Sequence, residues 1–148
     1  MEIKKNRHSI FSLNYHLVVS TKYRHKCITK ELLEELKNIA KNIFENSWGC
    51  DIIEMDWEED HIHVLFSAPP QVQLSKLVNS FKTVSSRLIR KKYSDYLSKY
   101  FWKPYFWGAS YGIFSTWWAP LEVIKEYVQN QNTPSSTSNG KNSPSPKL

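Results

Sequence analysis

Long apolar runs are missing from this chain, and so is any cysteine pattern. No stretch approaches the roughly 20 consecutive apolar residues that span a bilayer, and the charged start from Met1 to His8 is not followed by a signal-type cleavage pattern. A membrane-spanning helix is therefore excluded, and the expectation is a soluble, cytoplasmic protein. Cys27 and Cys50 form neither a CxxC pair nor the even framework of a small secreted domain, so they read as reduced thiols. Acidic residues are in deficit, 14 against 20 Lys plus Arg, giving a net charge of +6 and a pI of 9.3. That balance favours a polyanionic partner, with nucleic acid the natural candidate. There is no internal repeat. There is also no Lys/Arg-Gly-Phe/Tyr-Gly/Ala-Phe-Val run, which argues against an RNA-recognition domain of that type.

What is present suffices for one core. The 148 residues are 41% hydrophobic and 14% aromatic, which suits a single domain over residues 1–132. Residues 133–148, rich in Ser, Pro and Asn and nearly devoid of apolar side chains, cannot offset the entropy of ordering and are expected to be a disordered tail. Alternation predicts a strand over 10–20. Thr29 then caps a helix to about Asn46 with Leu32, Leu36, Ile39, Ala40, Ile43 and Phe44 inward, and Gly49 stops it. Strands follow at 50–57 and 61–68 around a Glu58-Glu59-Asp60 turn, closed by Pro69-Pro70. A second helix over 74–93 turns Leu74, Leu77, Val78, Phe81, Val84 and Leu88 inward and Lys76, Lys82, Arg87, Arg90, Lys91 and Lys92 outward. The outer row reads either as a solvated face or as a phosphate-contacting one. An aromatic stretch from Tyr96 to Trp107 serves either core packing or base stacking, and a strand over 105–116 ends the repeat. This βαββαβ order predicts an α+β, ferredoxin-like antiparallel sheet with helices on one face.

The chemistry-bearing motif is His61-Ile62-His63. A strand turns alternate side chains to one face, so the imidazoles share a side about 6.6 Å apart along the strand, placed to offer nitrogens to one metal ion. Near the end of a further helix, begun by Pro120 and Glu122 and striped by Leu121, Ile124 and Val128, Tyr127 and Gln131 stand i, i+4 on a common face. Either pair alone has an ordinary structural explanation, as histidines on the wet side of a strand or a tyrosine covering apolar neighbours.

Together the motifs resemble one family. Asp60-His61-Ile62-His63-Val64-Leu65, Ser115-Thr116, Ala119-Pro120-Leu121, Tyr127 and Gln131 are similar to the small single-tyrosine HUH transposases of prokaryotic insertion sequences, the IS200-like transposases. Ser20-Thr21-Lys22-Tyr23-Arg24, Ile53-Glu54-Met55 and Ser85-Ser86-Arg87 extend the likeness from about residue 10 to residue 132. The resemblance implies the ferredoxin-like fold with a C-terminal tyrosine-bearing helix. It also implies an enzyme that cleaves and rejoins single-stranded DNA at element ends through a covalent 5′-phosphotyrosine. Tyr127 would be the nucleophile, and His61, His63 and Gln131 would hold a divalent metal. Ligand softness alone permits Mn²⁺ or Zn²⁺, whereas the family points to Mg²⁺ or Mn²⁺. The implied partners are hairpin-ended single-stranded DNA and a second subunit, with active sites shared across a homodimer. Lys22, Tyr23, Arg24, Lys82, Arg87 and Arg90 are candidate DNA contacts, a flexible basic loop being the other reading of the first three.

The connector departs from the family pattern. Relatives typically read Ser-Thr-Val-Gly-Gly-Ala-Pro, whereas this chain has Ser115-Thr116-Trp117-Trp118-Ala119-Pro120, one residue shorter and without glycine. Tryptophans pack and restrict where glycines permit motion, so exchange of the tyrosine helix is expected to be impaired. The alternative from another class is a noncatalytic or decayed single-stranded nucleic-acid-binding module.

Overall fold

The computed structural model describes residues 4–5, 10–11, 13–115 and 129. Four strands, β1 (Asn14–Thr21), β2 (Asp51–Glu58), β3 (His61–Ser67) and β4 (Trp107–Ser115), form one antiparallel sheet in the order β2-β3-β1-β4. Strand β3 lies between β1 and β2, as the ferredoxin-like arrangement requires. The opening strand is shorter than its composition predicts: residues 10–11 pair with residues 4–5 in a separate ladder, and β1 starts at Asn14.

Helix α1 (Lys30–Lys41) begins where expected, because Thr29 accepts a hydrogen bond from the Leu32 backbone nitrogen at 3.1 Å. A π-helical turn, Asn42–Ser47, prolongs it. Gly49 then adopts φ +68°, a left-handed conformation that lets the chain reverse into β2 without Cβ strain. Helix α2 (Leu74–Lys92) and the short α3 (Ser94–Leu97) precede β4. α1 and α2 cover one sheet face, where Leu17, Val19, Ile62, Val64 and Phe66 meet Leu32, Leu36, Phe44, Leu77 and Phe81 in a single core. Phe44 sits at its centre, its ring 5.0 Å from Phe66 and 5.5 Å from Phe81.

The inward row of α2 differs from the expected one. Leu77, Val78, Phe81, Ser85 and Ile89 are buried, while Leu88 is 39% exposed. Ser85 takes the place that hydrophobicity would give to a leucine because its hydroxyl donates to the Phe81 carbonyl and accepts from the Trp107 indole nitrogen at 2.8 Å. A buried indole N–H needs such an acceptor. Among the described residues no helix is long and apolar enough to cross a membrane.

Candidate active site and nucleic-acid face

The strict alternation of β3 sends Ile62, Val64 and Phe66 into the core and leaves His61, His63 and Leu65 on the opposite face. The register sets Val18 beside His63 on one flank and Asp56 on the other, with His16 opposite Leu65. Three histidines thereby share one face. The centroids of His61 and His63 are 4.9 Å apart, their planes inclined at 69°.

Each ring of the pair is held through Nδ1. His61 Nδ1 lies 2.7 Å from Asp60 Oδ1 and donates to it, which leaves the Nε2 lone pair available. His63 Nδ1 lies 3.1 Å from His16 Nε2. When the proton between them belongs to His63, its Nε2 is also an available base. Burial pushes His63 down to about 4, with the charges of His61 and His16 adding to the effect and Asp56 opposing it. Burial lowers His16 as well. A neutral imidazole at pH 7 is the form that ligates metal.

The donor set suits a divalent ion in an incomplete shell. Two imidazoles on one strand face, one of them oriented by a carboxylate, match the usual histidine support of a metal site. Among the described residues no group of three His, Cys, Asp or Glu side chains is arranged to hold a metal. A further donor of another chemical kind would be required, and the amide expected for that role belongs to Gln131. Gln131 and Tyr127, together with the Trp117-Trp118 connector and the tail, lie outside the described residues.

The candidate DNA contacts divide into two groups. Arg24 turns inward: its Nε and Nη2 lie 3.0 and 2.9 Å from Asp60 Oδ2, and its Nη1 lies 3.3 Å from the Gln129 carbonyl. Thr21 pins the same turn, its backbone nitrogen donating to the Asp60 carbonyl at 2.9 Å. Thus the Lys22-Tyr23-Arg24 turn, read from the sequence either as a DNA contact or as a flexible basic loop, also buttresses the histidine strand through Arg24.

The remaining candidates line a cationic and aromatic surface. Lys22 Nζ stands 5.3 Å from the Tyr23 ring centre and 5.0 Å from that of Tyr105. Lys82 Nζ donates to the carbonyls of Gly108 and Ala109 at 2.7 and 3.2 Å, where β4 bulges away from β1. Burial lowers its affinity for a proton, and the nearby Lys22 charge adds to that shift. Arg87 is exposed, whereas Arg90 donates to Ser86 Oγ at 3.1 Å and borders a cleft of about 150 Å³ with Lys103, Phe101 and Tyr105. The aromatic stretch divides residue by residue between core and surface. Phe101, Phe106 and Trp107 are buried, while Trp102 is 85% exposed beneath the Lys103 ammonium, 4.6 Å from its ring.

Over residues 9–131 the chain matches the family model described as Transposase IS200 like. The chain belongs to the IS200-like transposase family. It is 32% identical over 132 residues to the ISDra2 transposase TnpA of Deinococcus radiodurans, covering 89% of this chain and 93% of that protein. It is 27% identical over 129 residues to the transposase for insertion sequence element IS200 of Salmonella typhimurium, covering 86% and 82% respectively. A crystal structure assigned to a transposase of Deinococcus radiodurans R1 superposes with a TM-score of 0.77 at 27% identity, over 88% of this chain and 98% of that one. The span matched to the IS200-like model contains His61, His63, Tyr127 and Gln131.

Two contributors were not singled out from the sequence. His16 sits far from the motif in the chain and joins it only through the β1–β3 register. Asp60 reads as a turn residue before β3, yet its carboxylate links His61 to Arg24. An acid directly preceding the His61-Ile62-His63 motif, with an Arg at the end of the neighbouring strand, was the available signal.

Proposed function

We propose that this IS200-like transposase cleaves and rejoins single-stranded DNA by a tyrosine-nucleophile mechanism. The observation that carries the reading is the pair of imidazoles on one strand face, His61 backed by the Asp60 carboxylate and His63 held below its ordinary pKa by burial. Tyr127 supplies the attacking oxygen. A free phenol titrates at about 10, so the Tyr127 hydroxyl proton must leave as Oη bonds to phosphorus. The P–O3′ bond breaks and the departing oxygen ends as a 3′-hydroxyl, so the proton balance closes and a 5′-phosphotyrosine remains. Reversal by another 3′-hydroxyl rejoins DNA with no external energy source, because the phosphodiester energy is held in the tyrosine link.

His61, His63 and Gln131 would hold Mg²⁺ or Mn²⁺, whose bound charge neutralises and polarises the scissile phosphate. Asp60 keeps His61 in the tautomer that presents Nε2, and His16 fixes the orientation of the His63 ring. Lys22, Tyr23, Lys82, Arg87 and Arg90 supply a phosphate-attracting and stacking surface for a hairpin-ended strand. The active unit is a homodimer sharing its sites between subunits. The support for the dimer is the family to which the chain belongs.

The test is incubation with labelled single-stranded DNA from the element ends in Mg²⁺ or Mn²⁺. A denaturation-resistant adduct is expected, and it should vanish with Tyr127→Phe, His61→Ala or chelator. Binding without an adduct would instead identify a noncatalytic module. Mixing inactive Tyr127→Phe and His61→Ala proteins tests the dimer, since shared sites restore an adduct and separate sites do not.

A further inference from the structure

Trp102 belongs neither to the core nor to the histidine site, yet it stands 85% exposed on an anchored loop. Phe101 and Phe106 are buried on either side of it, and the Tyr105 backbone nitrogen donates to the Lys103 carbonyl at 2.7 Å. A single exposed aromatic ring is ordinary by itself. Its surroundings are not. The Lys103 ammonium stands over the indole, 4.6 Å from its centre, and the same lysine borders the cleft of about 150 Å³ shared with Arg90 and Tyr105, which no carboxylate lines. Arg90 Nε donates to Ser86 Oγ, and its two terminal nitrogens have no partner among the described residues. Ligand sites for whole small molecules run from about 300 Å³ upward, so this cleft is too small for a nucleoside but admits a phosphodiester group. Tyr105 carries the surface onward, its ring 6.1 Å from that of Tyr23 and 5.0 Å from the Lys22 ammonium.

We propose that Trp102, Lys103 and Arg90 form a subsite for one unpaired nucleotide, its base stacked on the open face of the indole and its phosphate held between the ammonium and the guanidinium. This rests on the single-stranded DNA reading above and adds to it a place where paired and unpaired strands are told apart. Charge selects the occupant: two cations without a lining acid suit a phosphate. Every base has a π-face, so an indole accepts any of the four, provided that the base has left its stack. A duplex keeps those faces covered and can offer the subsite only its phosphates. Lys103 joins the two halves, because its ammonium has three donors and contact with the ring leaves them able to reach an anion in the cleft.

The experiment measures, by fluorescence anisotropy in the presence of chelator, the affinity of the full chain for an oligothymidylate of about 12 nucleotides. Trp102→Ala, Trp102→Phe, Lys103→Gln and Arg90→Gln are compared with the unmodified protein, with thermal midpoints and sedimentation coefficients recorded for each. Trp102→Ala should weaken binding by about 5–100-fold at an unchanged salt slope, and Trp102→Phe should recover most of that loss. Lys103→Gln and Arg90→Gln should each reduce the salt slope by about 0.7, the signature of a lost phosphate contact on a single strand. On an abasic oligonucleotide of the same length, and on a blunt duplex, Trp102→Ala should bind as the unmodified protein does. An oligothymidylate affinity within about two-fold of the unmodified protein for Trp102→Ala overturns the proposal, as does an equal penalty on abasic DNA. A changed sedimentation coefficient with unchanged affinity would overturn it too, and would assign the indole to contact between copies of the chain. Trp102-dependent binding with no adduct on element-end DNA in Mn²⁺ would remove the tyrosine mechanism alone. An adduct with binding indifferent to Trp102 would remove the subsite alone.

Discussion

On one face of β3, Ile62, Val64 and Phe66 have no solvent exposure and pack beneath α1 and α2; on the other, His61 keeps 8% exposure and His63 and Leu65 keep more. Neighbouring residues in the same seven-residue strand thus serve different ends. The covered face derives its stability from apolar area removed from water. The open face spends polar contacts on orientation, through Asp60, His16 and Arg24. A shift of one residue in register would exchange the two sets, and ladders to partner strands on both sides hold β3 in place.

Substitutions on the two faces should separate stability from chemistry. The largest effect is expected for Phe66→Ala, which removes a ring packed against Phe44 and Tyr15 and should cost about 3–5 kcal/mol in urea denaturation. A loss below about 1 kcal/mol would mean that the covered face is not the stabilising one. Next is Ser85→Ala on α2, expected to cost about 1–3 kcal/mol because the Trp107 indole N–H loses its buried acceptor. On the open face, His61→Ala should change stability by about 1 kcal/mol or less while abolishing the DNA adduct. Comparable losses of stability from Phe66→Ala and His61→Ala would erase the distinction.

Acidity sharpens the same comparison. The folded His63 is lowered to about 4 from 6.5, so between those values the unfolded chain binds the extra proton and the folded one does not. Stability of metal-free protein should therefore fall as pH drops from 6.5 towards 4, and His63→Gln should flatten that part of a denaturation profile. The smallest effect concerns the covered side, where burial pushes the Cys27 thiol up to about 12. At pH 8 its alkylation, followed by mass spectrometry, should be far slower in folded than in urea-unfolded protein.

Much of this contrast is legible in the sequence, because period-two alternation around His61 and His63 assigns both faces of β3 without knowledge of any partner strand. The helix cap at Thr29 and the stop at Gly49 are legible for the same reason, each being a local requirement of the backbone. What escapes is everything that depends on register or on distant partners. His16 meets His63 across 47 residues, Arg24 meets Asp60 across 36, and neither separation carries a period. Leu88, expected inward, is exposed while Ile89 is buried, and Ser85 joins the buried row because the Trp107 indole needs its hydroxyl. The aromatic stretch is ambiguous in sequence for a physical reason too: it divides residue by residue, with Phe101 turned in and Trp102 turned out.

The most direct test of the central claim is mass spectrometry of the tryptic peptide over residues 126–141, in which Tyr127 is the only tyrosine. After incubation with single-stranded element-end DNA and Mn²⁺, followed by nuclease digestion, this peptide should carry a 5′-linked nucleotide on Tyr127, and chelator should prevent the linkage. Recovery of cleaved DNA with Tyr127 unmodified throughout, or with the nucleotide on another residue, would contradict the account.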